Sequence, residues 1–192
     1  MKFVFKITAA LLVALAIGGG SALFIIERSL QSSDVKNGPW HINLAIGSEA
    51  VGPYMRAASA QAGLLSPTKS ETLSFTAFTD DEGAALDSVC NYKITGGDLP
   101  ARWWSLTAYG ADGYLIPNPQ DRYSFGANNV ARAEDGTYVI HLAPTAKSGN
   151  RLPSGKRRQH ISVTLRLYSP EAAAITAPSI IELPAITRGT CP

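Results

Sequence analysis

ISVTLRLY, residues 161–168, alternates without a break: Ile161, Val163, Leu165 and Leu167 on one side, Ser162, Thr164, Arg166 and Tyr168 on the other. Successive side chains of a β-strand point to opposite faces, so this run predicts a strand with one buried and one wetter surface. Working outward, ETLSFTAFT (71–79) groups Leu73, Phe75 and Ala77, the following run groups Cys90, Tyr92 and Ile94, and RWWSLTAY (102–109) groups Trp104, Leu106 and Ala108. In TYVIHLA (137–143), Tyr138, Ile140 and Leu142 oppose Val139 and His141. Turn chemistry separates the runs at Asp80-Asp81-Glu82-Gly83, Gly96-Gly97-Asp98, Ala111-Asp112-Gly113, Glu134-Asp135-Gly136 and Pro153-Ser154-Gly155. Strands at this spacing, with no helices between them, predict a mainly β domain: an antiparallel, jelly-roll-like β-sandwich.

Upstream, PYMRAASAQAGLL (53–65) reads as one short helix packed on something larger, with Pro53 in its first turn and Gly63 at its end. Residues 29–38 are polar and without apolar period, as expected of a tether. Residues 7–26 carry no charge, follow Lys2 and Lys6, and are closed by Glu27 and Arg28. That length suits a transmembrane helix, and it exceeds the usual apolar region of a secretory signal. Gly20-Ser21-Ala22 still offers small residues where a signal peptidase could cut. With either outcome the positive flank stays inside and the rest of the chain lies beyond the cytoplasm. The expected organisation is a signal-anchor at 1–28, a tether at 29–38 and a β-sandwich at 39–192. The expected address is the inner membrane with the domain in the periplasm, or the periplasm itself after cleavage.

The chain has 192 residues, 45% hydrophobic and 17% charged, which excludes a disordered chain, a multi-span transporter and a low-complexity fibre. Its net charge of +2 comes from the first 28 residues, and the body beyond them is neutral. The one basic cluster, Lys156, Arg157 and Arg158 with Arg151, reads as a solvated loop, so no nucleic-acid partner is expected. Two cysteines, Cys90 and Cys191, sit at no metal-ligand spacing. In an oxidising compartment they are expected to pair, the alternative being two buried thiols.

LPARWWSLTAYGADGYLIPN (99–118), DRYSF (121–125), the Asp135-Gly136 turn, GNRLP (149–153) and LRLYSP (165–170), in this order, resemble the bacterial domain-of-unknown-function family 1214. GPWHINLAIGS (38–48) and the helix after it are similar to small membrane-tethered members. The resemblance implies a β-rich, jelly-roll-like domain and a family-1254-type envelope protein as a separate partner. It implies no activity, so no catalytic residue carries over. Where the family commonly has tryptophan in Gly-Asn-Trp-Leu-Pro, this chain has Arg151, which would leave any pocket beneath it more open or more cationic.

Reactive motifs are scarce. There is no G-x-S-x-G elbow and no phosphate-cradling glycine loop. Ser66-Pro67-Thr68-Lys69 matches S-x-x-K but contains proline and lacks the companion elements, so it reads as a loop. His41, His141 and His160 are far apart, and Asp80, Asp81 and Glu82 form an acidic turn, so neither a metal nor another cofactor is expected. The candidate surface is aromatic and cationic. Arg102, Trp103, Ser105, Thr107 and Tyr109 are read together as one strand surface and Arg166 with Tyr168 as another, with Asn118, Arg122, Tyr123 and Asn150 in loops able to reach the same end. Stacking rings beside guanidinium groups suit a planar or anionic organic ligand, whereas a purely structural reading pairs Arg166 with Asp121 or Asp135. The expected function is a tethered periplasmic binding or accessory module, more consistent with capture than with catalysis. The alternatives are a metal-free envelope hydrolase with a non-standard site and a purely structural interaction domain.

Overall fold

The strand read first is central: β9 (Ile161–Pro170) lies between β3 (Thr72–Ala77) and β5 (Ala101–Gly110) and pairs antiparallel with both. The computed structural model describes residues 2–31, 35–48, 51–61, 67–145 and 147–192. Contacts divide the chain into two units, Met1–Ser32 with Ala45–Pro67, and Ser33–Leu44 with Thr68–Pro192.

The first unit holds α1 (Lys2–Gln31) and α2 (Pro53–Gln61). Lys2–Ile26 is long and apolar enough to cross a membrane, and a signal sequence has the same properties. Leu11, Leu12, Val13, Leu15 and Ile17 are all exposed, so the described residues leave this apolar surface uncovered. α2 begins at Pro53, where a missing N–H costs least. Gly63 and Ser66 lie outside the described residues.

The second unit is the expected sandwich. Its larger sheet runs β1 (Val35–Asn37), β2 (Trp40–Ile42), β3, β9, β5, β6 (Ser124–Gly126). The smaller runs β10 (Ala185–Arg188), β4 (Tyr92–Gly96), β7 (Tyr138–Ala143), β8 (Asn150–Pro153). Leu73, Phe75, Leu106, Leu165 and Leu167 of the first sheet pack in one core with Tyr92, Ile94, Ile140, Leu142 and Ile186 of the second. Trp104, 2% exposed, stacks on Tyr138 at 4.9 Å and 26°, joining the layers through paired aromatic faces. The helix packed into this core is α3 (Ala172–Thr176), which buries Ala174.

Two details depart from the expectation. β7 and β8 pair in parallel, although every other strand pair is antiparallel. Parallel neighbours usually need a long crossover, but the paired stretch is so short, Ile140–Ala143 against Asn150–Pro153, that residues 144–149 suffice to return the chain. The end of the expected tether is also a strand: Val35–Asn37 pairs with Trp40–Ile42 around Gly38 at φ 57°. Three residues are too few to show a period, so only the pairing reveals β1.

The turn at 133–137 illustrates the local logic. Ala133 N–H donates to Thr137 O at 2.8 Å, Thr137 N–H to Asp135 Oδ1 at 2.9 Å, and Gly136 sits at φ 82°, a conformation that penalises any Cβ.

The carboxyl-terminal strand is fastened at several points. Cys90 and Cys191 form a disulfide. Asp81 Oδ2 accepts the Ile186 N–H at 2.8 Å, and Asp80 Oδ2 accepts Arg188 Nε at 2.8 Å. The acidic turn is therefore a clamp on β10, the Asp80 and Asp81 carboxylates occupied by backbone and guanidinium donors.

Candidate functional site

The outer face of the larger sheet is built by the residues that alternate with its core. In the row nearest one end, Trp103 of β5 lies opposite Tyr168 of β9, their rings 5.1 Å apart at 48°. The next row holds Ser74, Arg166, Ser105 and Gly126, and the one after it Thr76, Thr164, Thr107 and Ser124. Tyr109 follows, opposite Ser162. Phe78, just past the end of β3, is 57% exposed, with its ring 6.5 Å from that of His41 on β2. Lys36 of β1 faces His41 across the edge hairpin. Burial and the Lys36 charge hold the His41 imidazole below its ordinary pKa, so both effects favour its neutral form.

Arg166 is the centre of this face. Its Nη1 donates to the Tyr109 hydroxyl at 3.0 Å, and the guanidinium carbon lies 5.6 Å from that ring's centroid. Because Arg166 faces Ser105 and Tyr109 faces Ser162, this bridge crosses the Thr107–Thr164 row. Thr107 and Thr164 are each only 7% exposed although they are on the outer side, and Thr164 shares a 3.0 Å hydrogen bond with Thr76.

No carboxylate among the described residues pairs with Arg166. The two expected structural partners are engaged elsewhere. Asp121 Oδ1 accepts the Tyr123 hydroxyl at 3.2 Å, which raises the tyrosine's pKa, and Asp135 Oδ1 accepts both the backbone N–H and the hydroxyl of Thr137, which lower its own. A half-buried guanidinium loses hydration without gaining a counter-ion, an arrangement that favours an incoming anion.

Trp103 is held in place. Its Nε1 donates to Asn128 Oδ1 at 3.3 Å, and the indole crosses Gly126, where a Cβ would approach Trp103 Cζ2 to 2.7 Å and the Trp104 carbonyl oxygen to 3.0 Å. Gly126→Ala is therefore expected to expel the indole from this position at a cost of about 1–3 kcal/mol. Urea unfolding measures the loss, and a red shift in tryptophan emission reports the displaced ring. Unchanged emission and stability would contradict the packing. Beside Tyr168, Ser169 adopts φ 45°, held by its N–H donating to Glu71 O at 2.8 Å. A left-handed residue other than glycine is costly, and strain of this kind gathers at binding surfaces.

Of the nine predicted site residues, Trp103, Tyr109, Arg166 and Tyr168 come together here. Arg102 is not among them: it is exposed next to Trp103, and strand alternation assigns it to the other side of β5. Asn118 organises its own loop, Oδ1 accepting the Gln120 and Arg122 N–H groups at 3.2 and 3.1 Å and Nδ2 donating to the Ile116 and Arg122 carbonyls. Asn150 is likewise consumed, accepting from Ala131 N–H at 2.8 Å and donating to the Ala131 and Val139 carbonyls. Arg122 stacks over Phe125, whose ring belongs to the core, and Tyr123 turns to Asp121. Arg151 donates to Gln120 Oε1 at 2.7 Å and to the Pro144 carbonyl, tying β8 to the β5–β6 loop. The residues missed were Ser74, Thr76, Thr164 and Phe78. Alternation in β3 and β9 already separates them from the core, but only the register sets them beside Arg166.

Fold and face together define a two-layer β-sandwich module with a hydroxyl-lined, aromatic-flanked sheet surface around one uncompensated guanidinium. The chain belongs to the family described as "Protein of unknown function (DUF1214)", whose model matches residues 71–172 and so includes β3 through β9. The VPA0106 protein from Vibrio parahaemolyticus has a similar solved fold, with a TM-score of 0.62 and 20% identity over 87% of this chain and 42% of its own. An uncharacterized protein from Burkholderia cenocepacia matches with a TM-score of 0.47 and 15% identity, covering 94% of this chain and 44% of that one. The chain thus spans less than half the length of these structures. No curated protein matches it.

Proposed function

We propose that this chain is a membrane-tethered module of the bacterial envelope that captures an anionic organic ligand on the outer face of its larger sheet. It hands that ligand to, or holds it for, a separate family-1254-type protein. The observation that carries the reading is the half-buried Arg166, bridged to Tyr109 and without a carboxylate partner among the described residues. An anionic group there would complete the desolvated charge, while Trp103 and Tyr168 offer ring faces to its organic body.

The uncovered apolar helix α1 supports insertion of residues 7–26 in the inner membrane, and the Cys90–Cys191 bridge supports a periplasmic site for the sandwich. Calorimetry on the full chain in detergent, with galacturonate and benzoate as probes and galactose and benzyl alcohol as uncharged controls, tests capture. The acids are expected to bind and the controls to fail, with Arg166→Gln lowering acid affinity about tenfold or more, the loss of a charge-assisted bond. Undiminished binding by Arg166→Gln would refute the assigned site.

A further inference from the structure

We infer that the ligand is an extended anionic oligosaccharide lying along β5 and β9, an inference that rests on the capture reading above and specifies its substrate class. Trp103 and Tyr109 stand six residues apart on one strand, so at a rise of about 3.3 Å per residue the aromatic groups bracket about 20 Å of sheet. That is longer than a single sugar or aromatic acid. At the Tyr109 end the exposed ring of Phe78 provides a second platform, separate from the Trp103–Tyr168 pair.

Between the platforms the rows carry hydroxyls, Ser74 exposed and Thr76 half-buried, above the buried Thr164, Ser105 and Thr107. A pyranose ring has an apolar face of C–H groups that suits the negative face of an aromatic ring, and an equatorial rim of hydroxyls that suits such a lane. The charges on this surface are of one sign. Arg166 lies in the lane and Lys36 at its margin, and none of the paired outward positions is Asp or Glu. Spaced carboxylates along a sugar chain complement two separated cations. A nucleic acid would require many more cations, and a peptide strand would seek a free sheet edge, whereas β5 and β9 are paired on both sides.

The test is calorimetry of the full chain in detergent with galacturonate monomer, trimer and hexamer, beside neutral cello-oligosaccharides of the same lengths. Affinity for the acidic series is expected to rise about tenfold or more from monomer to hexamer. Phe78→Ala should return the hexamer to near the trimer's affinity and leave the monomer unchanged, and Arg166→Gln should weaken every acidic probe. Phe78 is exposed, so its removal leaves the core intact. Hexamer binding no tighter than monomer binding, still lost in Arg166→Gln, would overturn the extended-chain inference alone. Equal affinity for the neutral series would overturn its anionic character, and no binding of any acid would remove the capture reading as well.

Discussion

Cys191→Ala, or reduction of the native protein, lowers the unfolding free energy by about 4–5 kcal/mol, the chain-entropy value for a loop of about 100 residues. The bridge joins positions 101 residues apart and closes most of the sandwich, from the start of β4 to the tail beyond β10. Without it the unfolded chain regains the freedom of that whole loop. The folded tail would still be held by Gly189 N–H donating to Asn91 O at 2.7 Å and Asn91 N–H donating to Thr190 O at 2.9 Å. These bonds lie next to the bridge and depend on the same register, so they are expected to fray with it. Urea unfolding followed by tryptophan emission, with and without reductant, measures the difference. A loss under about 1 kcal/mol would mean that the unfolded chain gains little freedom from the cut.

Asp80→Ala is expected to cost about 2–4 kcal/mol, because it removes a buried carboxylate that satisfies two backbone donors and leaves the partly exposed Arg188 without its partner. The Asp80 side chain is 1% exposed and that of Arg188 is 29% exposed. The carboxylate also accepts the Glu82 and Ala84 N–H groups through Oδ1, at 3.2 and 2.8 Å, so its removal strands two backbone donors. Arg188 still donates from Nη2 to the Ala85 carbonyl at 2.6 Å and lies over the Tyr92 ring, which holds the orphaned charge in place. Asp80→Ala with Arg188→Met should therefore cost less than the two single changes added together, since the pair is removed rather than broken. Denaturation of the four proteins in the cycle checks this, and strict additivity would show that the two side chains act independently. The effect should also persist in high salt, which screens a buried pair weakly.

Both predictions concern β10, an element no periodicity announces. Asp80, Asp81 and Glu82 read as a solvated turn because clustered carboxylates before glycine usually are. The clamp that Asp80 and Asp81 form depends on Ile186 and Arg188, more than a hundred residues away. Asn118 and Asn150 err in the opposite direction. A polar loop residue looks available for ligand until its neighbours' backbone groups are seen to use every donor and acceptor it has. Arg102 is a different case, since its alternation with Trp103 was visible in the chain itself and already placed it away from Trp103 and Tyr109. The assignment of Trp104 to the core and Trp103 to the surface, at 37% exposure, needed only that same alternation together with the choice of inner face.

From the chain alone, the alternating strands β3, β4, β5, β7 and β9 with their inner sides, most turns and the apolar leader were determined, and the disulfide was expected, because each follows from local chemistry: side-chain alternation, glycine and aspartate at turns, an uncharged run, two cysteines at no metal-ligand spacing. The tertiary structure alone decided which strands are neighbours, that β7 and β8 run parallel, and that Arg166 meets Tyr109 instead of an aspartate. Those outcomes depend on register between distant segments. A one-residue slip would leave each strand's local pattern intact and exchange every residue on the candidate face for its neighbour from the core.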